Sequence, residues 1–132
     1  MERKERKERK ERKLKKYQET STEELYLMGF VPSINEFYVD IYGNVKRVKE
    51  FDGVLHQFTV KPSLAKSQYL QVGSSIDSKA YPVHYLVAYA FYGTRPQNCD
   101  VNHKDHNHFN NYFLNLEYLD LHENRKDNLP IR

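Results

Sequence analysis

The amino-acid sequence predicts an α+β fold, in which a small antiparallel β meander is followed by a helix and then by a strand–loop–strand–helix unit. Three observations lead to this prediction. Residues 35–60 alternate between apolar and polar side chains, residues 83–91 repeat apolar side chains with a helical period, and residues 101–124 mix polar loop residues with large apolar ones. At 132 residues the chain has room for one compact domain.

The meander is predicted from the stretch NEFYVDIYGNVKRVKEFDGVLHQFTV. Phe37, Val39 and Ile41 fall on one face of an extended chain, as expected for a half-buried strand. Two dipeptides that favour turns separate the strand-like runs, Gly43-Asn44 and Asp52-Gly53. Two more short strands are expected within QYLQVGSS (68–75) and KAYPV (79–83).

The helix is predicted over residues 83–92. Its apolar positions recur at the spacing of one helix face: Val83, Leu86, Val87, Ala90 and Phe91. Gly93 and Pro96 are expected to end it. His84 lies at its start and off the apolar stripe, so a local hydrogen bond is the first interpretation and a catalytic role the second.

The first sixteen residues are a charged repeat, MERKERKERKERKLKK, with ten basic and four acidic side chains and a net charge of +6. The whole chain carries +3, so the remaining residues are mildly acidic. One interpretation is a basic arm that attracts phosphate backbones, and the other is an extension with no specific role. We expect the repeat to be disordered or a solvated helix, because it has no apolar stripe to bury.

Four segments are therefore expected. They are a low-complexity tail at 1–16, a linker at 17–33, a β-rich module with its helix at 34–98, and the final motif at 99–128, which packs with the module as one compact domain. No apolar run reaches the roughly 20 residues that a membrane helix needs, and no apolar segment follows the charged N-terminus as in a secretory signal. The single cysteine, Cys99, excludes an internal disulfide. We expect an intracellular protein, in the cytoplasm or nucleus of a host cell.

Four of the six histidines lie in residues 101–124. A zinc site built from Cys99, His103, His106 and His108 is one hypothesis, although the spacing is poor and no second cysteine supports it. The other uses the Asn102-His103 pair, which a strand–loop–strand–helix fold would bring near Asn124. Carboxamide oxygens suit a hard cation such as Mg²⁺, and a neutral imidazole beside the ion can take a proton from water. Such a site could hydrolyse a phosphodiester.

The stretch VNHKDHNHFNNYFLNLEYLDLHEN resembles the HNH motif of the ββα-metal nucleases, and most closely that of phage- and virus-encoded homing endonucleases. Three upstream pieces resemble the small module that precedes the nuclease in that family, in the same order: NEFYVDIYGNVKRV, VKPSLAKSQYLQV and YPVHYLVAYAFYG. The resemblance covers residues 34–124. It implies an endonuclease that cuts DNA, and a ββα-metal fold for the final motif.

The resemblance also implies roles for single residues. His103 is expected to be the general base, and Asn102 and Asn124 are expected to hold a divalent ion, Mg²⁺ or alternatively Mn²⁺. Asn115 is the middle residue of the motif, expected to pin the loop or orient the base. The remaining assignments are turn-shaping for Asp105 and Asn110, DNA contacts for Lys104, Arg125 and Lys126, and no chemical role for His106, His108 and His122. Taken apart from the motif, Asn110, Asn111 and Asn115 are interpreted as loop-capping residues.

Three positions depart from the family pattern. His106 stands where a turn glycine is usual, Asp120 stands where threonine is common, and Asn102 replaces an aspartate found in some members. With both proposed ligands neutral, metal binding by the free protein is expected to be weak. We expect DNA as the partner, no protein partner, a monomer, and nicking with low sequence specificity. The alternative is a nuclease-derived DNA-binding protein without activity.

Overall fold

The computed structural model describes residues 16–122, and the other residues are not discussed structurally. Its elements are short strands with two helices. In chain order they are β1 (Gln18–Thr20), α1 (Thr22–Leu27), β2 (Val31–Pro32), β3 (Phe37–Val39), β4 (Val45–Phe51), β5 (Val54–Val60), β6 (Ser63–Leu64), β7 (Leu70–Gly73), β8 (Ala80–Pro82), α2 (Val83–Tyr92), β9 (Cys99–His103), a 3₁₀ turn (Phe113–Asn115) and β10 (Leu116–Asp120).

The strands form three antiparallel sheets. The first has the order β1-β5-β4-β3-β2, the second has the order β6-β7-β8, and the third is the β9–β10 hairpin. β4 and β5 pair along their whole length across the Asp52-Gly53 turn. Both turn residues have positive φ, 51° and 80°, as a tight hairpin turn requires.

The main core lies between helix α2 and all three sheets. Its fully buried members are Phe37, Val39, Val45, Val72, Val83, Leu86, Val87, Ala88, Val101 and Leu116. Because α2 supplies four of these side chains, it holds the β9–β10 hairpin against the upstream sheets. A smaller core of Leu25, Phe30 and Val48 lies under α1.

The predicted α+β class is confirmed, and so is the helix, which begins at Val83 and ends before Gly93. The two strands expected after residue 67 are present as β7 and β8, although they form a separate sheet from β1–β5. Residues 17–33 are not a linker. They contribute α1 and the two edge strands of the five-stranded sheet, because Gln18–Thr20 pairs with β5 and Val31–Pro32 pairs with β3.

The charged tail falls almost entirely on residues outside the described range, so the structure leaves its interpretation open. Residues 121 and 122 have helical backbone. Within residues 16–122, neither helix has the length and apolar character that crossing a membrane requires.

Candidate active site

The β9–β10 hairpin gives the site two faces. Across the two strands, His103 is the partner of Leu116 and Asn102 is the partner of Glu117. Neighbouring residues in a strand point to opposite faces. His103 therefore shares the buried face with Val101 and Leu116, towards α2, whereas Asn102 and Glu117 share the other face.

The His103 ring is held by a second buried residue. Its Nε2 lies 2.8 Å from Oδ1 of Asn111, and each of the two residues is only 4% exposed. An amide oxygen can only accept a hydrogen bond, so Nε2 is the nitrogen that carries the proton. In the neutral ring the lone pair is then on Nδ1, which is the atom that can accept a proton from water.

Asn111 is in turn packed against the turn between β3 and β4. A Cβ at Gly43 would lie 2.7 Å from the Cβ of Asn111 and 3.1 Å from its carbonyl oxygen, closer than side chains approach. The turn itself is shaped by Asp40, whose carboxylate accepts from the backbone N–H groups of Tyr42 and Asn44 at 3.0 and 2.9 Å. Phe113 N donates to the carbonyl of Ile41 at 2.8 Å. The upstream module therefore supports the residue that orients His103.

Three rings surround His103. Tyr69 stacks on His108 with ring centroids 4.1 Å apart, and Tyr69 and His84 lie 4.6 Å apart. The His84 and His103 centroids are separated by 4.8 Å. His84 is 4% exposed, and its Nδ1 is buried without a hydrogen-bond partner among the described residues. The local hydrogen bond expected for His84 is therefore not formed at this nitrogen, because the ring faces the core and not solvent.

Burial controls the protonation of both histidines. Burial, together with the smaller effect of the nearby His103 as a potential like charge, lowers the pKa of His84 to about 4. The pKa of His103 is also lowered, first by burial, while the hydrogen bond to Asn111 acts in the opposite direction. Both rings are consequently neutral near pH 7, the state that a general base requires.

The loop after β9 is organised around Asp105. Its carboxylate accepts from the side-chain amides of Asn110 at 2.8 Å and Asn115 at 2.9 Å, and from Asn107 N at 2.9 Å. These hydrogen bonds lower the pKa of Asp105 to about 2, and the one from Asn110 makes the largest contribution. Asn115 also donates to the Asn110 carbonyl and accepts from Asp105 N. Within residues 16–122, Asn115 makes its contacts to the loop and none to the His103 side chain.

His106 occupies a left-handed turn position with φ of 63°. Its N–H donates to the carbonyl of His103 at 2.9 Å and closes the turn. Histidine tolerates this conformation better than most non-glycine residues, at a cost of roughly 1 kcal/mol relative to glycine. His106 therefore adopts the left-handed conformation that a turn glycine would adopt more easily.

Asn102 is joined to Glu117 across the hairpin. Asn102 Nδ2 donates to Glu117 Oε1 at 3.1 Å, which turns Asn102 Oδ1 away from the carboxylate. An amide oxygen beside a carboxylate is the hard oxygen chemistry that Mg²⁺ and Mn²⁺ prefer. The described part of this donor set thus fits a divalent cation, whereas Asn124, the second proposed ligand, lies outside the described residues.

A cavity of about 180 Å³ opens at the end of β9. Its lining residues are Tyr69, Asp100, Val101, Asn102, His103, His106 and His108. His103, the expected general base, and Asn102, the amide expected to hold a cation, thus border the same space. His106 and His108 also line this cavity, and the expectation that they have no chemical role stays a prediction.

The zinc hypothesis finds no support in the described part of the chain. Among residues 16–122, no three histidine, cysteine, aspartate or glutamate side chains are close enough to share a metal ion. Cys99 begins β9, where it pairs with Asp120, and His103 ends the same strand. An extended strand separates the two by its full length, so the thiol cannot join the histidines.

The proposed DNA contacts are only partly described. Lys104 is exposed, and its backbone N–H donates to the Asn115 carbonyl at 2.8 Å. Arg125 and Lys126 lie outside the described residues. His122 is exposed, and its N–H donates to Asp120 at 2.8 Å.

Sequence reasoning missed Tyr69 and Glu117, took Asn111 only as a loop-capping residue, and ranked a catalytic role for His84 second. All four lie beside His103 or Asn102. Glu117 could have been found by pairing the two predicted strands with His103 opposite Leu116. No local signal distinguishes Asn111 from the other asparagines of the loop, because its role depends on the turn that packs against it.

Comparisons with known proteins bear on this site. Residues 81–129 match the family described as HNH endonuclease. The structure is similar to a solved structure described as DNA binding and cleavage by the HNH homing endonuclease I-HmuI, with 29% sequence identity, a TM-score of 0.56, and coverage of 70% of this chain and 51% of that one. The chain thus spans about half the length of that protein. No curated protein matches it. The resemblance to HNH homing endonucleases predicted from the sequence is therefore confirmed, by a family match over residues 81–129 and by a structural match over 70% of the chain.

Proposed function

We propose that this protein is a metal-dependent HNH endonuclease that hydrolyses phosphodiester bonds of DNA. One observation carries the proposal: the buried, neutral His103 ring is oriented by Asn111 and borders the same cavity as Asn102. The similarity to I-HmuI, whose structure is described as DNA binding and cleavage, supports DNA as the substrate.

In the proposed reaction, His103 Nδ1 accepts a proton from a water molecule. The water oxygen attacks the phosphorus, and the bond between phosphorus and the 3′ oxygen breaks. The products are a 5′-phosphate and a 3′-hydroxyl, which takes its proton from solvent. Asn111 keeps the proton on Nε2 throughout the approach of water, and Tyr69, His84 and His108 restrict rotation of the ring.

Asn102 and Asn124 would hold the divalent cation, with Mg²⁺ the first choice and Mn²⁺ the second. When bound, the ion neutralises charge on the phosphate and on the departing oxygen. Asp105, Asn110 and Asn115 fix the loop that follows His103, and so support the base without contacting the reacting atoms.

The proposal extends to the mode of action. Lys104, Arg125 and Lys126 contact the DNA backbone, which gives affinity without sequence information. A monomer with one such site cuts one strand at a time, so we propose nicking with low specificity. A DNA substrate also agrees with an intracellular compartment.

A plasmid-nicking assay tests the proposal. The parent protein is expected to convert supercoiled to open-circular DNA with Mg²⁺ or Mn²⁺, and EDTA is expected to stop it. His103→Ala should lower the rate by at least about 100-fold, because general-base catalysis is typically worth that much. His56→Ala, a histidine of the five-stranded sheet, is the matched control and should cut normally.

Absence of cleavage with every divalent ion would favour the alternative, a binding protein derived from a nuclease. That protein would bind DNA with a steep salt dependence, and deleting residues 1–16 would abolish the binding. Under the endonuclease proposal, cleavage at low salt survives the same deletion.

A further inference from the structure

We propose that Glu117 is a positioning residue of the cation site, which fixes the Asn102 amide and supplies the negative charge that this uncharged ligand lacks. This inference rests on the proposed function, because it concerns the ion that the endonuclease would use. The sequence leads us to expect weak metal binding by the free protein, because both proposed ligands are neutral. A charged Glu117 beside one of them should make that binding stronger.

The first step is geometric. Asn102 and Glu117 are direct partners in the antiparallel hairpin and point to the same face. Their side chains meet at 3.1 Å, from Asn102 Nδ2 to Glu117 Oε1. A carboxylate only accepts, so the amide nitrogen must face Glu117 and the amide oxygen must face the other way. An amide without this partner could rotate and present either atom to a cation. The pair therefore selects the oxygen.

The second step concerns charge. The hairpin face carries two carboxylates, Asp100 and Glu117. Asp100 lies 3.6 Å from Arg95 and accepts from the Tyr85 hydroxyl at 2.8 Å, so its charge is already compensated. That ion pair is the single one between side chains of residues 16–122, which means that Glu117 has no cationic partner in this part of the chain. Its charge lies one hydrogen bond from the proposed ligand.

The third step separates these two contributions. Glu117→Gln keeps the length of the side chain and an oxygen that can accept from Asn102, but removes the charge. Asn102→Asp places a negative charge on the ligand itself. The double variant Asn102→Asp/Glu117→Gln therefore restores the net charge of the site by another route.

The experiment measures Mn²⁺ binding to the full-length protein without DNA, by electron paramagnetic resonance of the free ion. Glu117→Gln should weaken binding by about 10- to 100-fold through loss of the charge, which is the usual size of effect when an outer-shell partner of a metal ligand is changed. The double variant should regain most of the affinity. Glu50→Gln, which makes the same change at an exposed strand position, is the control and should bind as the parent does.

Unchanged Mn²⁺ affinity in Glu117→Gln overturns the inference, and so does a parent protein that binds no Mn²⁺. A double variant as weak as Glu117→Gln overturns the charge contribution. These outcomes can be told apart from failure of the proposed function. If Mn²⁺ binding by the parent depends on Glu117 but the parent cuts no DNA, this inference stands and the proposed endonuclease function fails. If the parent cuts DNA but Glu117→Gln binds Mn²⁺ as the parent does, the proposed function stands and this inference fails.

Discussion

Asn111 Oδ1 accepts a hydrogen bond from Nε2 of His103 at 2.8 Å, with both side chains almost completely buried. The hydrogen bond decides which nitrogen of the ring is basic. It also explains why an asparagine-rich loop folds back onto the strand that it leaves. Changes to Asn111 should therefore act on the chemistry of His103.

Asn111→Ala should lower the nicking rate by about 10- to 100-fold, because the ring loses the acceptor that fixes its tautomer. The measurement is single-turnover nicking with saturating Mg²⁺, which separates the rate from DNA binding. Asn107→Ala is the control in the same loop, since Asn107 is exposed and its side chain accepts only from Phe109 N. Equal rates for the two variants would exclude an orienting role for Asn111.

Gly43→Ala should lower both stability and activity. Its new Cβ would meet Asn111 at 2.7 Å, at a position with φ of +87°. We expect a loss of roughly 1–3 kcal/mol in the free energy of unfolding, from backbone strain and overpacking together. Gly53→Ala is a matched control, because its φ is +80° and nothing lies within 4 Å of its new Cβ. Denaturant titration should find Gly53→Ala less stable than the parent, while only Gly43→Ala loses nicking activity in its folded fraction.

The protein should become less stable as the pH falls from about 6.5 towards 4. His84 has a pKa of about 4 in the folded protein against 6.5 for the free side chain, so the unfolded state binds a proton first. Between pH 7 and pH 5 this difference is worth about 2 kcal/mol. His84→Phe keeps an aromatic ring against Tyr69 and removes the titration. Its free energy of unfolding should change less between these pH values than that of the parent, and an identical change in the two proteins would contradict the assignment.

Asp105→Ala and Asn115→Ala should each lower nicking activity and expose the loop at 104–111 to proteolysis, because each removes two or more hydrogen bonds of one network. The double variant should be hardly worse than either single one, since the two residues act as a unit. Additive effects on the proteolysis rate would show that they act independently. As the pH falls from 3.8 towards the lowered Asp105 pKa of about 2, the carboxylate should become protonated and lose its role as acceptor. The proteolysis rate of the loop should rise over that pH range.

Much of this protein could be read from local pattern. The helical period from Val83 and the turn chemistry at Asp52-Gly53 are properties of neighbouring residues, and both predictions are confirmed. The spacing of the HNH motif identified Asn102, His103 and Asn115 because the family keeps these residues at a characteristic separation along the chain. The role assigned to each of these residues stays a prediction.

The edge strands and the surroundings of His103 required the tertiary structure. β1 and β2 are two or three residues long, so they carry no periodicity, and their assignment rests on pairing with β5 and β3. Glu117 reaches Asn102 through strand register, Gly43 reaches Asn111 through packing of a distant turn, and His84 reaches His103 through the position of α2. The sequence by itself determined the α+β class and singled out His103 as the expected base. Only the folded chain decided that Asn111 contacts His103 and that Glu117 contacts Asn102, because those contacts depend on strand register and on the packing of remote segments.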